Sequence, residues 1–216
     1  MVLFPTTPLL DNFNRADNAG PPSASWSSPA FQGDTNLKIS GNKVMGTGAF
    51  GDAYWNATTF ADGEVYATLA ALPPSTTQGY YLSWRFINHN SAGERGYYAY
   101  FMRDGTFGYI RRWDGPGSSV LLVNFVLPGA LSVGDKIGVR MIGTAITVFC
   151  YTAARWQVVA TASDSTYTSP GTIGLVLEEA TTSAFDDFGG GPYGGSLGGP
   201  PASARRPAAF APGLAR

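Results

Sequence analysis

Apolar and polar residues alternate with a period of two along most of this chain. In Gly63-Glu64-Val65-Tyr66-Ala67-Thr68-Leu69 the residues Val65, Ala67 and Leu69 fall on one face, the spacing of a half-buried strand. Segments of the same character run over 37–40, 42–45, 80–87, 97–103, 107–113, 120–125, 136–142, 146–151, 157–161 and 173–177. No window shows the three-to-four spacing of an amphipathic helix. Arg103-Asp104-Gly105-Thr106 predicts a hairpin, because Asp-Gly readily adopts the positive φ angles of a tight connection, and Gly143-Thr144 predicts another. Asp11-Asn12-Phe13-Asn14-Arg15 and Phe185-Asp186-Asp187-Phe188 read as terminal strands that close the domain. The pattern therefore predicts an all-β protein, an antiparallel two-sheet jelly-roll sandwich over 9–189. Residues 1–8 form an N-terminal arm, and 190–216 a Gly/Pro/Ala-rich extension that cannot bury enough apolar surface to order itself.

A chain of 216 residues is ordinary for one such domain. The net charge is −1 and only three lysines are present, with no basic run interleaved with aromatics, which sets nucleic acid aside as a partner. No apolar run reaches the length of a membrane span, so no membrane partner is expected. The first residues, Met1 to Pro8, lack the basic and apolar regions of an export signal. Cys150 shares a face with Ile146 and Val148 and reads as a buried, inert thiol.

Several motifs that spell chemistry fail in context. Gly46-Thr47-Gly48-Ala49-Phe50-Gly51 matches a phosphate loop but opens no helical pattern, and Asp187-Phe188-Gly189 lacks the partner motifs of a kinase. His89, the only histidine, lies in the polar turn Asn88-His89-Asn90-Ser91 and reads as an exposed loop residue. It leaves neither a zinc site nor a serine triad, and no catalytic residue is assigned. Glycoside hydrolysis needs paired carboxylates. No strand carries the alternating acidic run that would supply them, and carboxylates gathered from different strands are the only remaining source. Asp11 and Asp187 have two readings: they share a calcium ion that pins both chain ends, or they bond to turn amides and to Arg15. No cofactor beyond that calcium is expected. The Asn56-Ala57-Thr58 sequon carries no weight without an export signal.

The middle strands carry the strongest functional signal. Tyr81, Ser83 and Arg85 alternate against Leu82, Trp84 and Phe86; Tyr98 and Tyr100 oppose Tyr97, Ala99 and Phe101; Arg111 and Trp113 share a face with Tyr109. One face is core. The other offers Tyr81, Arg85, Tyr98, Tyr100, Arg111 and Trp113 as ligand-binding residues, types that stack on sugar rings and also dominate protein interfaces.

Asp11-Asn12-Phe13-Asn14-Arg15-Ala16-Asp17 with Trp26, Asp62 to Leu69, Tyr97-Tyr98-Ala99-Tyr100, Val133 to Ile137, and Asp164 to Gly171 through Phe188 together resemble the concanavalin A-like lectin/glucanase superfamily. The flavour is the laminin-G-like jelly roll of bacteriophage virion proteins and bacterial carbohydrate-binding modules. The resemblance implies two curved sheets, a concave face or loop rim as ligand site, and in some members calcium. Thr152-Ala153-Ala154-Arg155-Trp156 reads as a longer turn than the Asn-Gly hairpin of relatives. The implied function is a non-enzymatic phage virion protein, in the tail or as capsid decoration, that binds host envelope polysaccharide. A structural cement protein and a jelly-roll glycan hydrolase are the alternatives. The implied location is the virion, or secretion by a non-classical route, and assembly of like subunits stays open. Tyr193, Leu197, Phe210 and Leu214 are the apolar anchors by which the tail would dock on other virion proteins.

Overall fold

The computed structural model describes residues 3–28 and 34–194. The described residues contain strands and turns but no helix. In chain order the strands are β1 (Leu9–Asp11), β2 (Trp26–Ser27), β3 (Thr35–Ile39), β4 (Val44–Gly46), β5 (Phe50–Phe60), β6 (Gly63–Ala71), β7 (Gly79–Ile87) and β8 (Arg95–Met102). They continue as β9 (Gly108–Gly115), β10 (Ser118–Phe125), β11 (Lys136–Ile142), β12 (Ala145–Thr152), β13 (Arg155–Ser163), β14 (Gly171–Glu178) and β15 (Ala184–Pro192). The front sheet runs β10-β9-β8-β7-β14-β5 and the back sheet β13-β12-β11-β6-β15, with β1 and β4 on β15 and β2 on β5. Strand β3 pairs antiparallel with β4 and parallel with β5, so one hydrogen-bonded path joins the two layers. Every other pairing is antiparallel, and the jelly-roll sandwich expected from the alternation is present.

The core lies between the layers. Leu82, Tyr97, Ala99 and Phe101 of the front sheet meet Val65, Leu69, Ile137, Val148 and Phe185 of the back sheet, all at 1% exposure or less. Each large apolar side chain so buried contributes about 2 kcal/mol. Cys150 is fully buried among them, and burial pushes its thiol up to about 12, which keeps it protonated. A smaller cluster covers the outer side of the back sheet, where Phe4 stacks on Phe149 at 4.0 Å and meets Trp156 edge-on.

Four local features depart from the alternation. Only Asp11 of the segment 11–15 is strand, the last residue of β1, and Asn12 to Arg15 turn away: Asp11 Oδ1 accepts the Phe13 amide at 2.8 Å, Phe13 has φ 51°, and its ring is fully buried. In β15 a bulge at Asp187, φ 49°, lets Phe185 and Phe188 both enter the core although they are three apart. The connection between β12 and β13 is a tight two-residue turn, not a longer one, because Ala153 and Ala154 both adopt positive φ, 50° and 60°. Strand β5, the longest at 11 residues, was hidden by the glycines before it and the polar run Asn56 to Thr59 within it.

Candidate functional site

The front sheet turns its outer face toward an open cleft of about 280 Å3. Antiparallel register builds its floor in rows. Asp52 of β5, Val176 of β14, Tyr81 of β7, Tyr100 of β8 and Tyr109 of β9 are successive cross-strand partners in one row. Tyr54, Gly174, Ser83, Tyr98 and Arg111 form the next. Because side chains on neighbouring strands in register share a face, this places Tyr81, Tyr98, Tyr100 and Tyr109 side by side on β7, β8 and β9, with Tyr54 across the small Gly174 and Val176 of β14. Tyr81 and Tyr100 are fixed from beneath by Glu178, whose two oxygens accept from their hydroxyls at 2.9 and 3.0 Å. Burial first, then the neighbouring Tyr109 and Glu178, pushes the Tyr81 phenol far up, so it stays a protonated donor.

A third row depends on a bulge. Arg85 has φ 52°, and the register between β7 and β8 slips after Trp84. That slip reverses the alternation, so Phe86 faces the cleft in place of Arg85. Gly96 opposite it is required, since a Cβ there would collide with the Phe86 ring. Trp113 of β9, the partner of Gly96, closes this end of the cleft. Its indole Nε1 is buried without a hydrogen-bond partner.

Carboxylates from three separate segments converge on the same cleft: Asp34 just before β3, Asp52, and Glu94 just before β8. Burial, followed by repulsion from Asp34 and Glu94, holds the Asp52 carboxyl well above the usual carboxylate range. Burial and then Glu94 raise Asp34 as well. No lysine or arginine is among the described residues that line the cleft. His89 is drawn in from its turn, stacked on Tyr54 at 3.5 Å, with Nδ1 3.2 Å from Glu94 and Nε2 2.6 Å from Thr172 Oγ1.

Of the residues expected on this face, Tyr81, Tyr98 and Trp113 line the cleft. Tyr100 lies on the same face but is buried at 4% exposure beneath Tyr81 and Tyr109. Arg111 lies beside the cleft, its guanidinium 4.9 Å over the Tyr109 ring and bonded to Ser119 Oγ at 3.0 Å. Arg85 is placed elsewhere: it is buried, pairs with Asp62 at 3.0 Å, and donates to the Ala61, Gly143 and Tyr167 carbonyls. Burial lowers its guanidinium, against the pull of Asp62. His89 is not an exposed loop residue: its side chain is 14% exposed, held by the stack on Tyr54 and the contacts to Glu94 and Thr172. Asp34, Asp52, Tyr54, Phe86 and Glu94 escaped the sequence reading; only the alternation of Asp52 and Tyr54 about buried Ala53 signals any of them.

Of the two chain-end aspartates, Asp11 takes the second of the two readings. Asp11 accepts from Arg15 at 2.9 and 2.6 Å, from the Phe13 amide and from Trp26 Nε1 at 2.8 Å, which leaves no oxygen free for calcium. Among the described residues no group of three or more His, Cys, Asp or Glu side chains is placed to hold a metal ion. Tyr193 is 40% exposed, with Arg140 4.8 Å over its ring and its amide bonded to the Asp62 carbonyl. Leu197, Phe210 and Leu214 lie outside the described residues.

No family model and no curated protein sequence matches this chain. Solved structures do. A carbohydrate-binding module, CBM66 from Bacillus subtilis, superposes with a TM-score of 0.61 at 12% identity over 77% of this chain and 94% of its own. The exoplasmic/lumenal domain of VIP36 in its calcium- and mannose-bound form gives 0.58 at 10% identity over 77% and 82%. A Bacillus licheniformis β-glucanase gives 0.55 at 12% identity over 83% and 95%. The chain has the concanavalin A-like lectin/glucanase fold.

Proposed function

We propose that the front-sheet cleft binds a glycan without turning it over. The observation that carries this reading is the aromatic floor itself: Tyr54, Tyr81, Tyr98, Tyr109, Phe86 and Trp113 face one open cleft. Flat aromatic surfaces stack on the C–H faces of sugar rings, and the rigid phenols add hydrogen bonds at their rim. The fold neighbours described as carbohydrate-binding or mannose-bound support the reading. A glycan array with the full chain and with Trp113→Ala tests it. Retention of a defined saccharide by the parent and its loss in the variant is the expected outcome; an array blank for both leaves the cement alternative standing.

A second reading is favoured by one specific observation, the meeting of Asp34, Asp52 and Glu94 in the cleft. A carboxyl kept protonated beside an ionised one is the acid/base pairing of glycoside hydrolysis. Here Glu94 is committed to His89, which removes one of the three from that duty. Incubation with the bound glycan and assay of new reducing ends separates the readings: binding predicts none, and turnover lost in Asp52→Asn replaces binding with hydrolysis.

The biological setting, a virion component that displays the sandwich to a host surface, enters the proposal on the sequence resemblance alone. Mass spectrometry of purified particles carrying the chain, with and without residues 195–216, tests both the setting and the role of the tail.

A further inference from the structure

Carboxylate, aromatic ring and guanidinium recur together in this protein. Arg140 pairs with Glu64 and lies over Phe4, Phe149 and Tyr193; Arg112 bridges Asp114 and Asp164 and lies 6.0 Å over Tyr167; Arg15 pairs with Asp11 and lies over Phe13. Each acid that meets aromatic rings at these places is paired with a guanidinium, Asp114 and Asp164 sharing Arg112. The cleft has the acids and the rings, and none of the described residues lining it is a lysine or arginine. Cations are attracted both to carboxylates and to the faces of Tyr and Trp, and the attraction grows as water is excluded.

One polar group in the cleft is also unfilled. Trp113 Nε1 is buried with no hydrogen-bond partner among the described residues. A buried donor left without an acceptor costs free energy that a bound acceptor restores. A sugar hydroxyl supplies one.

Resting on the glycan-binding reading, we infer that the cleft selects a glycan bearing a free ammonium group, an amino sugar that is not N-acetylated, with the ammonium set between Asp34 and Asp52 and the ring faces against Tyr98 and Trp113. Acidic glycans are disfavoured by the same carboxylates, and neutral ones lose the charge term. An acetyl group removes the charge and adds bulk at that position.

Calorimetric titration of the full chain at neutral pH and low salt tests this with three probes: fully de-N-acetylated glucosamine hexamer, N-acetylglucosamine hexamer and cellohexaose. The inference predicts that the glucosamine hexamer binds at least about tenfold tighter than either of the others, the effect of one desolvated charge interaction. It also predicts that Asp52→Asn shrinks that ratio to about twofold, and that 1 M salt shrinks it in the parent protein, a readout that needs no variant to fold. Equal or tighter binding of cellohexaose or the acetylated hexamer overturns the charge selectivity and leaves the glycan reading intact. An array positive only for acidic or neutral glycans, with no glucosamine binding, also overturns it. No binding of any saccharide, on the array or in solution, overturns both.

Discussion

The two outer faces of the sandwich handle buried acid in opposite ways. On the back sheet Glu64, 1% exposed, accepts from Arg140 Nε at 2.7 Å, from the Thr6 and Thr7 amides and from the Thr7 hydroxyl, so the N-terminal arm and a guanidinium together satisfy it. On the front sheet Asp34, Asp52 and Glu94 share one cleft with no lysine or arginine among its described lining residues, and burial with mutual repulsion raises Asp34 and Asp52 toward the protonated form. The first arrangement holds the chain together; the second lowers stability and is retained where a ligand can relieve it. The difference supports the proposal that the front cleft is the functional face, with the back cluster as a clasp.

Breaking the clasp has the largest expected effect. Arg140→Ala leaves Glu64 buried and unpaired, and should cost about 3 kcal/mol in denaturant unfolding. A loss below about 1 kcal/mol would show that the threonine amides alone suffice for Glu64. Next is the cleft's aromatic wall: Trp113→Ala should weaken glycan binding by about thirtyfold, a typical loss for a buried aromatic anchor, while unfolding stability changes far less than in the Arg140 variant. Comparable losses of stability and binding would merge the two regions into one structural role.

The acids themselves give a smaller effect of defined sign. The folded Asp52 carboxyl titrates above its unfolded value, so the protonated form is the one the fold favours; stability is fully present below the unfolded range and is lost as pH rises through the folded value. Asp52→Asn should therefore raise stability at pH 7, with the gain vanishing only once the pH falls below the unfolded carboxylate range. Asp114 behaves oppositely, since the Arg112 hydrogen bond holds it below the usual range. Its stabilisation is present above the unfolded value and fades as pH falls, so Asp114→Asn should destabilise by about 1 kcal/mol at pH 7 and less at low pH. Paired thermal melts across pH read both slopes. Smallest of all, Arg111→Ala should change glycan affinity by less than about twofold, because its guanidinium lies outside the lining on Tyr109 and Ser119.

How far the sequence discloses this site depends on whether alternation holds. Tyr81, Tyr98 and Trp113 were legible because β7, β8 and β9 keep their period of two through those positions. Arg85 was misplaced and Phe86 missed at the one step where a positive φ reverses the face, and nothing in Trp84-Arg85-Phe86 announces a bulge. Asp52 and Tyr54 were lost with β5, whose alternation is masked by small and polar residues. Asp34 and Glu94 come from segments outside the strands they adjoin, so only tertiary structure brings them to Asp52. The two chain-end segments do meet, β1 on β15, but Phe13, Phe185 and Phe188 all enter the core only through a turn and a bulge that straight strands would not provide.

The indole N–H signals of the five tryptophans offer the most direct test that the front cleft is the binding face. The tightest-binding array saccharide would be titrated into isotope-labelled full chain and the five side-chain signals followed by two-dimensional NMR. The account predicts that the Trp113 signal moves, as its unpartnered donor gains an acceptor, while that of Trp26, already bonded to Asp11, stays fixed. A static Trp113 signal with movement at Trp156, on the back-sheet cluster, would contradict it.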